Sequence, residues 1–183
     1  MGLTPETKAE IISWIKTVVF AMVFALFITR VVIVNATIPT GSMEDTIMPN
    51  DRIVAFRLAY LTSEPQRFDV VVFKYPDDEE VLFVKRIIGL PGETVEIRDG
   101  QVYINSTDIP INDSFIKAEW VGNEGFYEVP EGSYFMLGDN RNSSADSRSW
   151  QNTYLSKDKI LGKVVFRYYP LPIKIYSDVE NMY

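Results

Sequence analysis

The chain has 183 residues, 46% of them hydrophobic and 23% charged, which suits one globular domain with a small insertion and a real core. It has no cysteine and no histidine. Disulfides, thiol nucleophiles, thiolate or imidazole metal sites and any Ser-His-Asp triad are therefore excluded, and a hydrolase made from this chain needs Lys, Asp, Glu or Tyr as its base, or help from the substrate.

The net charge of −7 is unevenly spread: residues 1–36 carry +1 and residues 37–183 carry −8. An acidic main part argues against nucleic acid as a partner. The absence of cysteine fits a domain outside the cytoplasm that needs no covalent staples.

The first element is a membrane segment. Residues 11–34 read IISWIKTVVFAMVFALFITRVVIV. A spanning helix needs about 20 mostly apolar residues, and this run suffices if Lys16 and Arg30 snorkel to opposite interfaces. A cleavable leader fits less well, because Asn35-Ala36-Thr37 is a poor exit site and Ile38-Pro39 follows it. A buried soluble helix would show a polar face, and none is visible. The expectation is a single-pass anchor over 11–34 after a short cytoplasmic tail, 1–10. Lys8 and Lys16 precede the segment, although Arg30 follows it, so the larger part is expected on the extracytoplasmic side.

Beyond the anchor the pattern becomes β. Strands are predicted over Phe68–Tyr75, Val81–Ile88, Thr94–Arg98, Gln101–Ile104, Tyr134–Leu137, Lys163–Tyr169 and Ile173–Tyr176. Asp99-Gly100 is a two-residue hairpin turn. Residues 98–132 are more polar and turn-rich and read as an inserted subdomain, with 35–97 and 133–183 forming the main domain. The Asn sequons at 35, 105, 112 and 142 are short enough to arise by chance.

Three places break the rules of an ordinary β domain. Lys85 shares a strand face with Phe83 and Ile87, while Arg86 shares the other with Val84 and Ile88. A lysine desolvated there loses basicity, is pushed the same way by Arg86, and becomes a competent general base. The plainer reading is an edge-strand lysine that discourages aggregation. The second place is Pro39-Thr40-Gly41-Ser42-Met43-Glu44-Asp45-Thr46-Ile47. Gly41 allows a turn that leaves Ser42 accessible, although Ser42-x-x-Asp45 also reads as a helix cap. The third is Gly138-Asp139-Asn140-Arg141-Asn142-Ser143-Ser144-Ala145-Asp146-Ser147-Arg148. A calcium loop fails there, since Ser144 and Trp150 stand where Gly and Glu are required. What remains is a rigid polar loop, with Asp146 or Asp139 paired to Arg141 or Arg148, or a solvated turn.

Together the pieces resemble bacterial type I signal peptidase, the membrane-anchored serine peptidase that removes signal peptides from exported proteins. Residues 37–47 (TIPTGSMEDTI) resemble its nucleophile box, 68–73 (FDVVVF) a strand box, 84–92 (VKRIIGLPG) its lysine box and 138–148 (GDNRNSSADSR) its last box. One departure is visible: Asp45 stands where the family usually has proline. The resemblance implies a mainly β fold, an extracytoplasmic antiparallel β-sheet domain on one transmembrane helix, with a small inserted β subdomain. It implies Ser42 as nucleophile and neutral Lys85 as general base. The oxyanion would be held by the Ser42 N–H and the Thr40 hydroxyl, Ser144 would orient the lysine, and Asp146 and Arg148 would form a supporting ion pair. Ile38, Pro39, Met43, Ile47, Phe83 and Val84 would line a cleft for signal peptides of exported preproteins, which present small residues in an A-x-A-like pattern. Lipid is the other expected partner, and no metal, cofactor or nucleic acid is implied. Two rivals remain. Self-cleaving repressor peptidases use Ser and Lys but carry a DNA-binding module, missing here, and no anchor. A non-enzymatic anchored β-domain that binds a partner would need Lys85 charged and exposed.

Overall fold

A computed structural model describes residues 4–116, 119–122 and 124–175. Helix α1 spans Pro5–Phe27, opened by Thr4, whose side chain accepts from the Thr7 N–H, and by proline in the first turn. A π turn, Ile28–Val32, extends it. The combined 28 residues are long and apolar enough to cross a membrane, and none of the apolar stretch is buried against protein. At 1.5 Å per residue they reach about 42 Å, more than the roughly 30 Å of hydrocarbon.

The helix begins and ends earlier than the sequence pattern suggested. Strand β1 (Ile33–Thr37) takes Ile33 and Val34. Both pair with β2 (Arg52–Phe56), Val34 opposite Ala55, and Val34 is buried in the core. The β-branched run from Val31 to Val34 serves either state, and strand pairing with burial decides it.

The other strands are β3 (Val70–Tyr75), β4 (Asp78–Gly89), β5 (Thr94–Arg98), β6 (Gln101–Ile104), β7 (Gly125–Glu128), β8 (Ser133–Leu137), β9 (Leu155–Ser156), β10 (Ile160–Tyr169) and β11 (Ile173–Lys174). Tyr176, the expected end of the last strand, lies outside the described residues. The main sheet runs β1-β2-β10-β3-β4-β8-β9, with β11 on β10, and every pairing is antiparallel. A second sheet runs β6-β5-β7. Its hairpin has Asp99 and Gly100 both at positive φ, 50° and 70°, the geometry of a type I′ turn.

Strand β3 explains the unbroken apolar run. Val70 and Val72 enter a core with Val34, Met43, Ile47 and Ile53, while Val71 and Phe73 enter another with Ile87, Met136 and Trp150. Both faces are covered, so no polar alternation is required. Strand β3 then fixes β4 beside it, with Val71 opposite Lys85 and Val70 opposite Arg86. On the far side of β4, Arg86 lies opposite Leu137. The loop after β8 therefore starts next to the two cations.

Candidate active site

Three chain segments meet at Ser42. The first is its own loop, closed at the base by Ile38 N–H to the Asp51 carbonyl at 3.0 Å and Asn50 N–H to the Ile38 carbonyl at 2.7 Å. Arg167 clamps Asp51 at 2.8 Å, and Asp51 accepts from the Met48 N–H at the same distance. Met43 and Ile47 are sunk in the core, each such side chain contributing about 1.5–3 kcal/mol to holding the loop. Ser42 does not cap a helix. Its Oγ faces Lys85 Nζ at 2.5 Å and Thr40 Oγ1 at 3.4 Å.

The second segment is β4. Lys85 is 3% exposed, with its Nζ 5.1 Å from the centre of the Phe83 ring. Burial lowers its pKa from 10.5 to about 8, against the Asp146 and Asp139 carboxylates, which favour the charged form. Arg86, expected to assist that fall, is not one of the causes. It is engaged by Asp139 through two bonds of 2.8 and 2.7 Å and donates to the Phe68 carbonyl at 2.8 Å. An exposed lysine, which a pure binding module needed, is absent at position 85.

The third segment is the loop 138–148. Asp139 takes Arg86 as its partner rather than Arg141 or Arg148, and it also accepts from the Thr46 hydroxyl at 2.5 Å. One carboxylate thus joins the lysine strand to the serine loop. Asn140 N–H adds a bond to the Ser42 carbonyl at 3.2 Å. Arg141 pairs instead with Asp113, at 2.9 Å. Asp146 and Arg148 form the expected ion pair, at 2.7 and 2.8 Å, and Asp146 accepts from the Gly138 N–H at 3.0 Å. Gly138 is required by close approach: a Cβ there would collide with the Ser42 carbonyl and the Ser144 side chain.

A cleft of about 780 Å³ opens over Ser42. It is walled by residues 35–44 on one side and Val81–Lys85 on the other, with Val72 on the floor. Ile38, Pro39, Thr40, Met43, Phe83 and Val84 all lie on it. Two expectations need correction. Ile47 does not line the cleft: its N–H bonds the Met43 carbonyl at 2.8 Å, and the turn directs the side chain into the core, fully buried. Ser144 does not bond Lys85: its Oγ is buried without a hydrogen-bond partner, packed against Gly138.

Sequence reasoning missed the Arg86–Asp139–Thr46 junction and the Asn140 clamp. Arg86 carried a signal, a second cation on an apolar strand face, but its partner lies 53 residues away. The turn at Asp45 also carries information. Its φ is 78°, a conformation closed to proline.

A family model described as signal peptidase, peptidase S26, matches residues 11–169. The chain belongs to this peptidase family. It is 36% identical over 162 residues to a Synechocystis protein named probable signal peptidase I-2, covering 86% of this chain and 72% of that one. It is 35% identical to the signal peptidase I of Leptolyngbya laminosa, covering 91% and 84%, and 32% identical to that of Bacillus licheniformis, covering 89% and 91%. A crystal structure of a signal peptidase I from Enterococcus faecalis shares 34% identity with a TM-score of 0.47, covering 55% of this chain and 97% of that one. In this family member the mainly β architecture with one N-terminal apolar helix is as expected.

Proposed function

We propose that this peptidase is a membrane-anchored serine endopeptidase that removes signal peptides from exported preproteins, cutting after small residues, with Ser42 as nucleophile and Lys85 as general base. The observation that carries the reading is the Ser42 Oγ to Lys85 Nζ contact of 2.5 Å at a buried lysine.

The neutral amine accepts the Ser42 proton as Oγ attacks the scissile carbonyl. The Ser42 N–H and the Thr40 hydroxyl stabilise the oxyanion. The lysine ammonium then protonates the leaving amine, the C–N bond breaks, and an ester on Ser42 remains. Lys85 next takes a proton from water, which attacks the ester, and returns that proton to Ser42 Oγ as the signal peptide leaves as an acid. A pKa of about 8 instead of 10.5 raises the neutral fraction at pH 7 about 300-fold.

The extended substrate lies between β1 and β4 and adds strand-like backbone bonds. Alternate side chains face the same way, so the cleft reads the residue before the cut and the one two positions earlier. The helix holds the site at the extracytoplasmic membrane surface, where local concentration compensates for a short recognition signal. The same reading divides the chain into anchor, catalytic domain and an inserted β unit. That unit is drawn from Thr94, because β5 is the central strand of the second sheet.

The test is cleavage of a purified preprotein with an A-x-A site by the detergent-solubilised full chain, followed by sequencing of the new N-terminus. A cut after the second small residue, absent with Ser42→Ala, is expected. A folded protein that cuts none of several preproteins, or cuts elsewhere, overturns the proposal.

A further inference from the structure

Lys85 and Glu44 are the charged side chains among the described residues that line the cleft. Lys85 is used by the reaction. Glu44 is not, and its placement is specific. Its side chain folds back over Gly41, so that a Cβ on Gly41 would lie 2.7 Å from the carboxyl carbon. One carboxylate oxygen accepts from the Asn140 side-chain amide at 3.1 Å, and the same amide nitrogen donates to the Gly41 carbonyl at 3.1 Å. With the Asn140 N–H on the Ser42 carbonyl, the acid is fixed against the residue that precedes the nucleophile. Its hydrogen-bond donor there is a neutral amide, not a cation.

The lining of the cleft divides into two chemically different groups. Ile38, Pro39 and Val81–Val84 are apolar. Ser42, Glu44, Asn140 and Ser143 are polar, and the Asn140 bonds hold Glu44 beside Gly41 and Ser42. With the small residues of a peptide on the apolar group, the polar group beside the nucleophile is left for the residues after the cut.

We propose that Glu44 selects substrates that carry lysine or arginine in the first two positions after the cleaved bond. The proposal rests on the peptidase reading above. A cation there meets a fixed, half-buried carboxylate that has no ion-pair partner among the described residues, while an acidic residue meets repulsion. Asp45, exposed on the next residue, adds the same sign. Attraction for one charge and repulsion for the other give an expected lysine-over-glutamate ratio in kcat/KM of about tenfold.

The experiment uses the full chain in detergent and three peptides with the same A-x-A segment, followed by Lys, Ala or Glu. The expected order of kcat/KM is Lys, Ala, Glu. The ratio shrinks as salt approaches about 1 M, where the screening length is about 3 Å. It collapses in Glu44→Gln and inverts in Glu44→Lys. Should a Glu44 variant fail to fold, the wild-type salt series decides: a lysine preference that survives high salt overturns the assignment. Equal rates for the three peptides, or an unchanged ratio in folded Glu44→Gln, overturn it and leave the peptidase reading standing. No cleavage of any of the three overturns the peptidase reading, and this proposal with it.

Discussion

Between pH 7 and pH 9 the neutral fraction of Lys85 rises from about one tenth to about nine tenths when its pKa is about 8. If the neutral amine is the base, kcat/KM climbs about tenfold over that interval and then levels, with a half-point near 8. The stability linkage has a definite sign. The folded pKa lies below the ordinary 10.5, so between the two values the unfolded chain holds a proton that the folded chain lacks. Stability therefore rises with pH through that window, and the penalty of charging the buried amine is complete below pH 8. That penalty is roughly 3 kcal/mol at most. Lys85→Met removes it, so the variant gains up to about 6–12 °C in thermal midpoint at pH 7 while losing activity. The gain fades toward pH 10.5. The assays are a pH series of peptide cleavage and thermal unfolding of both proteins at pH 7 and at high pH. A flat pH profile from 6 to 9, or a half-point near 10.5, refutes the buried neutral lysine.

Thr40→Val removes the proposed side-chain oxyanion donor and is expected to lower kcat by about a hundredfold or more with KM little changed, read by steady-state kinetics. A loss confined to KM contradicts the assignment. Asp139→Asn removes the carboxylate charge that faces the buried Arg86 guanidinium and also weakens the Thr46 bond. A destabilisation of about 3 kcal/mol is expected in denaturant unfolding, and an unchanged midpoint contradicts it. Asp45→Pro forces φ from 78° to the negative values of proline and is expected to reduce both stability and cleavage, whereas Asp45→Gly keeps the turn. Equal behaviour of the two variants in unfolding and kinetics contradicts the local geometry.

What was legible in the sequence was what short-range pattern encodes. The Thr94–Arg98 and Gln101–Ile104 strands appear with the expected bounds, because their turn chemistry is specific to one hairpin. Ser42 and Lys85 each had a plainer local reading, a helix cap and an edge-strand lysine; the family resemblance joined them, and the structure brings them together. Strands β1, β2 and β7 were not legible. The apolar residues of β1 continue the helix pattern, β2 is a short run between Asp51 and Arg57, and β7 is four residues in a polar, turn-rich stretch. Ile47 was expected on the cleft because the family resemblance implies it, yet a turn of one residue decides whether a side chain faces substrate or core. Asp139 was seen as an anion in a dense polar loop. Its partner was set by β4 lying beside β8, a tertiary fact with no local trace.

The most direct test of the central claim is a double-mutant cycle on Ser42 and Lys85. Ser42→Ala and Lys85→Ala are each expected to lower kcat/KM for an A-x-A peptide by about a thousandfold, within the range for loss of a general base. The double variant should be no slower than either single one, because the two groups act as a unit. Substantial activity in Lys85→Ala, or losses that multiply in the double variant, would contradict the dyad.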